Sequence, residues 1–316
     1  MSTCAKVSRD LEEPLAGTAA TARTWLLVEQ PGPWGANALT SSHLDPVLGR
    51  ALEQAAEGTG VRIALIRRPG RHADCHTVAE RQVYAAHTTP GNVWLHSATT
   101  SAPERLLTLD FTALGRGLPR TFETTLDGRP HTGDPLALVC TNGKRDRCCA
   151  LLGRPLAAEL AASGVEGAWE VTHLGGHRFS PTLLVLPFGY AYGRAEAHAV
   201  KEVLQGVREG RVVTEGCRGS SAWERPGQAA ELAVRESVSE DAAGTLSVVG
   251  TEGEAPRWEV TVAHRDGRRW LVTVVRGAAS PPRAESCGSA LGSPARMDVA
   301  AVRELSQTAA VRPPPR

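Results

Sequence analysis

Twice along this 316-residue chain the same order recurs: a short unbroken apolar run, a loop, a helix, another apolar run and a short loop. In the first passage Thr24–Glu29 (TWLLVE) reads as a buried strand that stops in the Pro/Gly loop Gln30–Gly35. Leu44, Val47, Leu48, Ala51, Leu52 and Ala55 then share one helical face, with Asp45-Pro46 as cap and first turn. Val61–Ile66 is the next strand, ended by Pro69-Gly70, and Val93–His96 and Leu106–Leu109 read as further strands. Residues 114–134, rich in Gly, Pro and Thr, read as a linker with at most a short strand. In the second passage Leu136–Val139 runs straight into Cys140, a helix covers Pro155–Ala162, Ala168–Val171 leads to His173, and Thr182–Leu186 is stopped by Pro187. Short strands joined through helices predict parallel crossover units, with chemistry in the loops at strand carboxyl ends.

The remainder has another character. Ala195–Leu204 and Pro226–Glu236 read as helices, and Trp258–Val262 and Trp270–Val275 as a hairpin turning at Asp266-Gly267. Met297–Leu305 reads as a last helix, while 278–293 and the Pro313–Pro315 tail read as loose. A net charge of +1 gives no electrostatic case for nucleic acid or a membrane surface. With no signal-type or membrane-length apolar run, the expectation is a cytoplasmic protein. Seven scattered cysteines there are a poor disulfide framework. Cys4, Cys217 and Cys287 read as isolated thiols, and His72, Cys75 and His76 as a solvated loop rather than a second metal site.

Chemistry concentrates between residues 140 and 177. Cys140, Cys148 and Cys149 share one loop, and His173-Leu-Gly-Gly-His177 places two imidazoles in another. Gly175-Gly176 argues against a regular helix there and for a tight turn that lets both rings converge. Arg145 and Arg178 flank the loops as candidate hydrogen-bond donors. Thiolates and imidazoles suit a [2Fe–2S] cluster with two Cys and two His ligands, and a Cys₂His₂ zinc site equally by spacing. A thiol redox enzyme using Cys148 or Cys149 is a third reading. Two thiolates and two neutral imidazoles would make an oxidised cluster neutral, so its potential should exceed that of an all-Cys cluster. No dinucleotide fingerprint or paired-carboxylate pattern is present.

Val139–Cys149, His173–Phe179 and Leu186-Pro187 with Tyr192-Gly193-Arg194 together resemble the sucrase/ferredoxin-like family, whose members are thioredoxin-like [2Fe–2S] proteins. Pro14–Ala19, Trp25, Glu29 and Pro33–Gly35 extend the resemblance over most of residues 1–240. It implies ligation by Cys140, Cys149, His173 and His177, with Cys149 chosen over Cys148 on family spacing. Asn142 stands where members often carry His, and Trp34 is a candidate cover for the site. The resulting expectation is an α/β protein with two thioredoxin-like halves, a degenerate duplication, and a C-terminal α+β extension carrying the hairpin. Its divisions are 1–118 without ligands, 119–210 with the cluster, and 211–316. The function expected is soluble electron transfer with a reductase or acceptor protein as partner, without sucrase activity. The alternatives are a zinc-stabilised thioredoxin-like binding module and the thiol redox enzyme.

Overall fold

The computed structural model describes residues 3–70 and 79–306. The apolar runs are unbroken because their strands are buried on both faces. In β1 (Thr24–Glu29) Trp25 and Leu27 enter one core while Leu26 and Val28 enter another on the opposite face. In β6 (Leu136–Cys140) Leu136, Leu138 and Cys140 join that first core, and Ala137 and Val139 a third. One sheet face therefore carries a core shared along its length, and the other carries two separate cores.

Around β1 stand β2 (Val61–Arg67), parallel to it, and β3 (Arg81–His87), antiparallel, with β4 (Trp94–Thr100) antiparallel to β3 and β5 (Arg129–Pro130) beyond. Around β6 stand β7 (Ala168–Val171), parallel, and β8 (Leu183–Leu186), antiparallel. Beyond β8 come β9 (Tyr190–Tyr192) and β10 (Cys217–Ser220), each antiparallel to its neighbour. The two sets meet where β2 pairs antiparallel with β7, giving one ten-stranded sheet in the order β10-β9-β8-β6-β7-β2-β1-β3-β4-β5. That junction is two residue pairs long, Ile66 with Val171 and Arg67 with Glu170. The Arg67 guanidinium also holds the Glu170 carboxylate at 2.7 Å, and both side chains are buried. Among the described residues only two strand pairs, β1 with β2 and β6 with β7, are parallel; the other pairings are antiparallel, a correction to a reading built only on parallel crossovers.

Helices follow their caps. The Asp45 side chain accepts from the Val47 amide at 2.6 Å, and Pro46 opens α2 (Pro46–Ala56) as expected. The expected helices also form at α5 (Arg154–Ala162), α6 (Ala197–Arg208) and α7 (Arg225–Val238), and a short α1 (Cys4–Asp10) precedes them all. Leu106–Leu109 is not a strand. Pro103 starts a 3₁₀ turn over Pro103–Thr108 that buries Leu106. The supposed linker 114–134 holds the end of α3 (Phe111–Gly115), all of α4 (Arg120–Leu126) and β5, with Phe122 and Leu126 buried.

A second sheet of four antiparallel strands runs β11 (Leu246–Glu254), β12 (Arg257–His264), β13 (Arg269–Ala278) and β14 (Ala295–Leu305). The hairpin between β12 and β13 is the one expected, turning at Gly267. Val260, Val262, Val272 and Val274 pack on Ala229, Ala230 and Val234 of α7. Burying each valine contributes about 1.5–3 kcal/mol over exposure. Residues 297–305 are strand, not helix, because they complete this sheet along β13. The 279–294 segment is ordered by a bridge between Arg283 and Gly292, while Pro313–Pro315, like His72, Cys75 and His76, lie outside the described residues. Among the described residues no helix is long and apolar enough to cross a membrane.

Candidate metal centre

β6 delivers Cys140 to the carboxyl end of the large sheet, and the chain turns out through residues 141–148. Asn142 folds this loop. Its Oδ1 accepts from the amides of Lys144 and Arg145 at 3.2 and 3.3 Å, and its Nδ2 donates to the Gly35 carbonyl at 3.0 Å. A single π turn, Cys149–Gly153, then leads into α5. A Cβ on Gly153 would lie 2.2 Å from the Cys140 carbonyl oxygen, so only glycine lets this turn press onto the strand end and bring Cys149 beside Cys140. Such π turns recur at functional sites.

The second loop leaves β7. Gly175 and Gly176 both take positive φ, +78° and +73°, and the chain doubles back so that the rings of His173 and His177 stack 4.7 Å apart. His177 Nδ1 lies 3.3 Å from Cys149 Sγ. Cys140 Sγ lies 3.6 Å from the Thr172 carbonyl oxygen, and Ser180 Oγ donates to Cys149 Sγ at 3.8 Å. Both thiols are buried and both imidazoles half-buried, so the sulfurs lie inside and the rings toward solvent. The Cys149 thiol, helped by His173, holds Cys140 well below the usual thiol range, and the resulting thiolate together with burial pushes Cys149 up. Burial, and then the neighbouring His173, pulls His177 down.

The His loop is fixed from distant parts of the chain. Arg62 Nη2, from β2, donates to the His173 carbonyl at 2.8 Å, and Arg218 Nη1, from β10, donates to the Gly175 carbonyl at 3.1 Å. Burial pushes the Arg218 guanidinium down to about 9. Arg178 does not face the cysteines; its Nε donates to Glu13 Oε1 at 2.8 Å, while Arg283 Nε donates to Glu13 Oε2 at 3.0 Å. Arg145 is exposed. Trp34 packs in the core on the far face of β1, with Arg67 4.0 Å over its ring, so it is the Gly35 carbonyl that meets the Cys loop. Arg62, Arg218 and Glu13 escaped the sequence reading. Arg62 did carry a signal, a charge inside an otherwise apolar strand.

The adjacent cysteines face different neighbours. Cys149 turns to His177, whereas Cys148 Sγ lies 3.5 Å from Cys4 Sγ and 3.2 Å from Cys287 Sγ. Cys4 and Cys287 are therefore not isolated thiols. Cys217 is buried in β10, and burial pushes its thiol up to about 12. Among the described residues two groups have the make-up and proximity to hold a metal ion: Asp146, Cys149 and His177, and Cys4, Asp146, Cys148 and Cys287, with ligand atoms within 4.8 Å of one another in each group.

A family model described as Suc_Fer-like, sucrase/ferredoxin-like, matches residues 15–219. The chain belongs to the sucrase/ferredoxin-like family. The match runs from the segment before β1 into β10 and contains both loops of the site. It leaves out α1 and the four-stranded sheet. No curated protein and no solved structure matches the chain.

Proposed function

We propose that this sucrase/ferredoxin-like chain is an electron-transfer protein carrying a [2Fe–2S] cluster on Cys140, Cys149, His173 and His177. One observation carries the reading: two buried thiols and two half-buried imidazoles sit in adjacent pairs, with His173 Nδ1 buried and without a hydrogen-bond partner. An imidazole nitrogen so placed is costly unless something binds it. Two thiolates and two neutral imidazoles are a donor set such a cluster accepts, and when bound it takes up and returns one electron.

The chain's own residues then have defined tasks. Cys140 and Cys149 keep the inner side dry, and the half-buried rings offer a partner the shortest approach. Arg62 and Arg218 hold the His loop by its carbonyls and place two buried positive charges near Cys140, which favours added negative charge at the pocket. The expected counterpart is a reductase or acceptor protein in the cytoplasm, without nucleic acid or membrane. The chain acts as a carrier rather than an enzyme. The divisions 1–118, 119–210 and 211–316 belong to the same reading, with two thioredoxin-like halves descended from one duplicated unit. Support comes from the order β2-β1-β3-β4 on one side and β7-β6-β8-β9 on the other, each with one parallel and two antiparallel pairings.

A mononuclear zinc site is the second reading, favoured by the proximity of Asp146, Cys149 and His177. Anaerobically purified protein should be red-brown, with about two iron and about two acid-labile sulfide per chain, and should bleach and give an EPR signal with dithionite. His177→Cys should keep the cluster at a lower potential. Colourless wild-type protein without sulfide overturns the proposal, and an unchanged potential in the variant removes His177 from the ligand set.

A further inference from the structure

Cys4 comes from α1, Cys148 from the Cys loop, and Cys287 from the segment before β14. Their sulfurs form a triangle with sides of 3.5, 3.6 and 3.2 Å. On its open side stands Asp146, whose Oδ2 is 3.9 Å from Cys4 Sγ. That carboxylate is held in place by the amides of Cys148 and Cys287, each donating at 2.7 Å. Cys4, Cys148 and Asp146 are buried and Cys287 is half-buried.

Three chemistries could gather these groups. A disulfide joins two sulfurs at about 2.05 Å and leaves the third without purpose. Mutual hydrogen bonding gains little, since a thiol is a weak donor and a weak acceptor. A tetrahedral ion with metal–sulfur bonds of about 2.3 Å sets its sulfurs about 3.8 Å apart. The sides of the observed triangle need to lengthen by about 0.2–0.6 Å to reach that. We propose that Cys4, Cys148 and Cys287, with Asp146 as fourth donor, form a closed structural site for one zinc-type divalent cation, separate from the site of Cys140 and Cys149. Four protein donors leave no open position, as expected of a structural rather than a catalytic ion.

The site explains why two neighbouring cysteines face opposite ways. Cys149 serves the centre built on the His loop, and Cys148 ties the Cys loop to α1 and to the 279–294 segment, through partners 144 and 139 residues away in sequence. Binding there would supply closure that α1 and the 279–294 segment cannot derive from cores of their own.

The test counts metals in the full-length protein, purified without chelator from zinc-supplemented medium, alongside Cys4→Ser, Cys287→Ser and Cys149→Ser. Wild type should hold about one zinc per chain. Cys4→Ser and Cys287→Ser should lose it and keep their iron, whereas Cys149→Ser should keep zinc and lose iron. Because a serine variant can unfold, wild type is also alkylated with iodoacetamide and mapped before and after chelation; Cys4, Cys148 and Cys287 should react only afterwards. Wild type without zinc, zinc that persists in both outer variants, equal alkylation before and after chelation, or a disulfide within the triangle overturns the proposal. Failure of the iron–sulfur reading would show separately, as wild type lacking iron with its zinc intact.

Discussion

Gly175 and Gly176 share a left-handed backbone but differ in their surroundings. A Cβ on Gly175 meets nothing within 4 Å, whereas one on Gly176 would fall 2.1 Å from an Arg218 nitrogen. Gly175→Ala should therefore cost only the conformational term, about 1–2 kcal/mol. Gly176→Ala should cost more and also release Arg218 from the Gly175 carbonyl, lowering iron retention. Denaturant titration with iron analysis of the two variants checks this, and equal losses would count against the packing argument. The glycine pair was legible in the sequence because the constraint is local: two rings four residues apart cannot converge without a tight turn. Cys4, Cys287, Glu13 and Arg218 were not. Cys4, Cys287 and Glu13 reach their partners across more than a hundred residues of chain and Arg218 across 43, and no spacing within any of these segments announces the partner.

At the scale of elements, α7 is bonded to the large sheet by a polar contact as well as an apolar one. Glu231 accepts from Tyr190 Oη of β9 at 2.7 Å and from Arg235 one turn on, and Arg235 also donates to the Glu240 and Ala242 carbonyls at 3.1 Å. Both charged side chains are fully buried. Glu231→Ala would leave Arg235 as an unpaired buried cation, and unfolding measurements should show a loss of about 3–5 kcal/mol. A loss below about 1 kcal/mol would mean the arginine escapes to water. Elements with two-sided burial or a good cap, such as β1, β6 and α2, could be read from sequence because the local pattern and the final environment agree. For β14 they conflict. Ala295–Leu305 is rich in helix-forming Ala, Arg, Glu, Met and Leu, yet pairing along β13 overrides that preference. β3 was missed for the opposite reason. Its buried stretch, Val83–His87, fades through two alanines into a histidine, too short an apolar run to stand out.

For the whole molecule, acid is a predictable weakness. His87 is buried between β1 and β4, with Nδ1 2.8 Å from Thr24 Oγ1 and its ring stacked on Trp94. Burial, with Arg23 nearby, pushes it down to about 4. It is neutral in the folded chain at a pH where the unfolded chain is already protonated. Stability should therefore fall as pH drops from about 6.5 to about 4, by on the order of 2–3 kcal/mol from this residue. His87→Gln should flatten that window in urea titrations across pH, and an unchanged slope would assign the acid sensitivity elsewhere. The seam between β2 and β7 has a mechanical meaning of its own. Two rungs and one buried peg, the Arg67–Glu170 ion pair, join the two sets of strands there, together with the Thr172 amide on the Leu65 carbonyl and Arg62 on the His173 carbonyl. A slip of the seam by a single residue would pull that peg from its hole and strand both charges in the interior, so the sheet is brittle there rather than elastic: it holds its alignment or it parts.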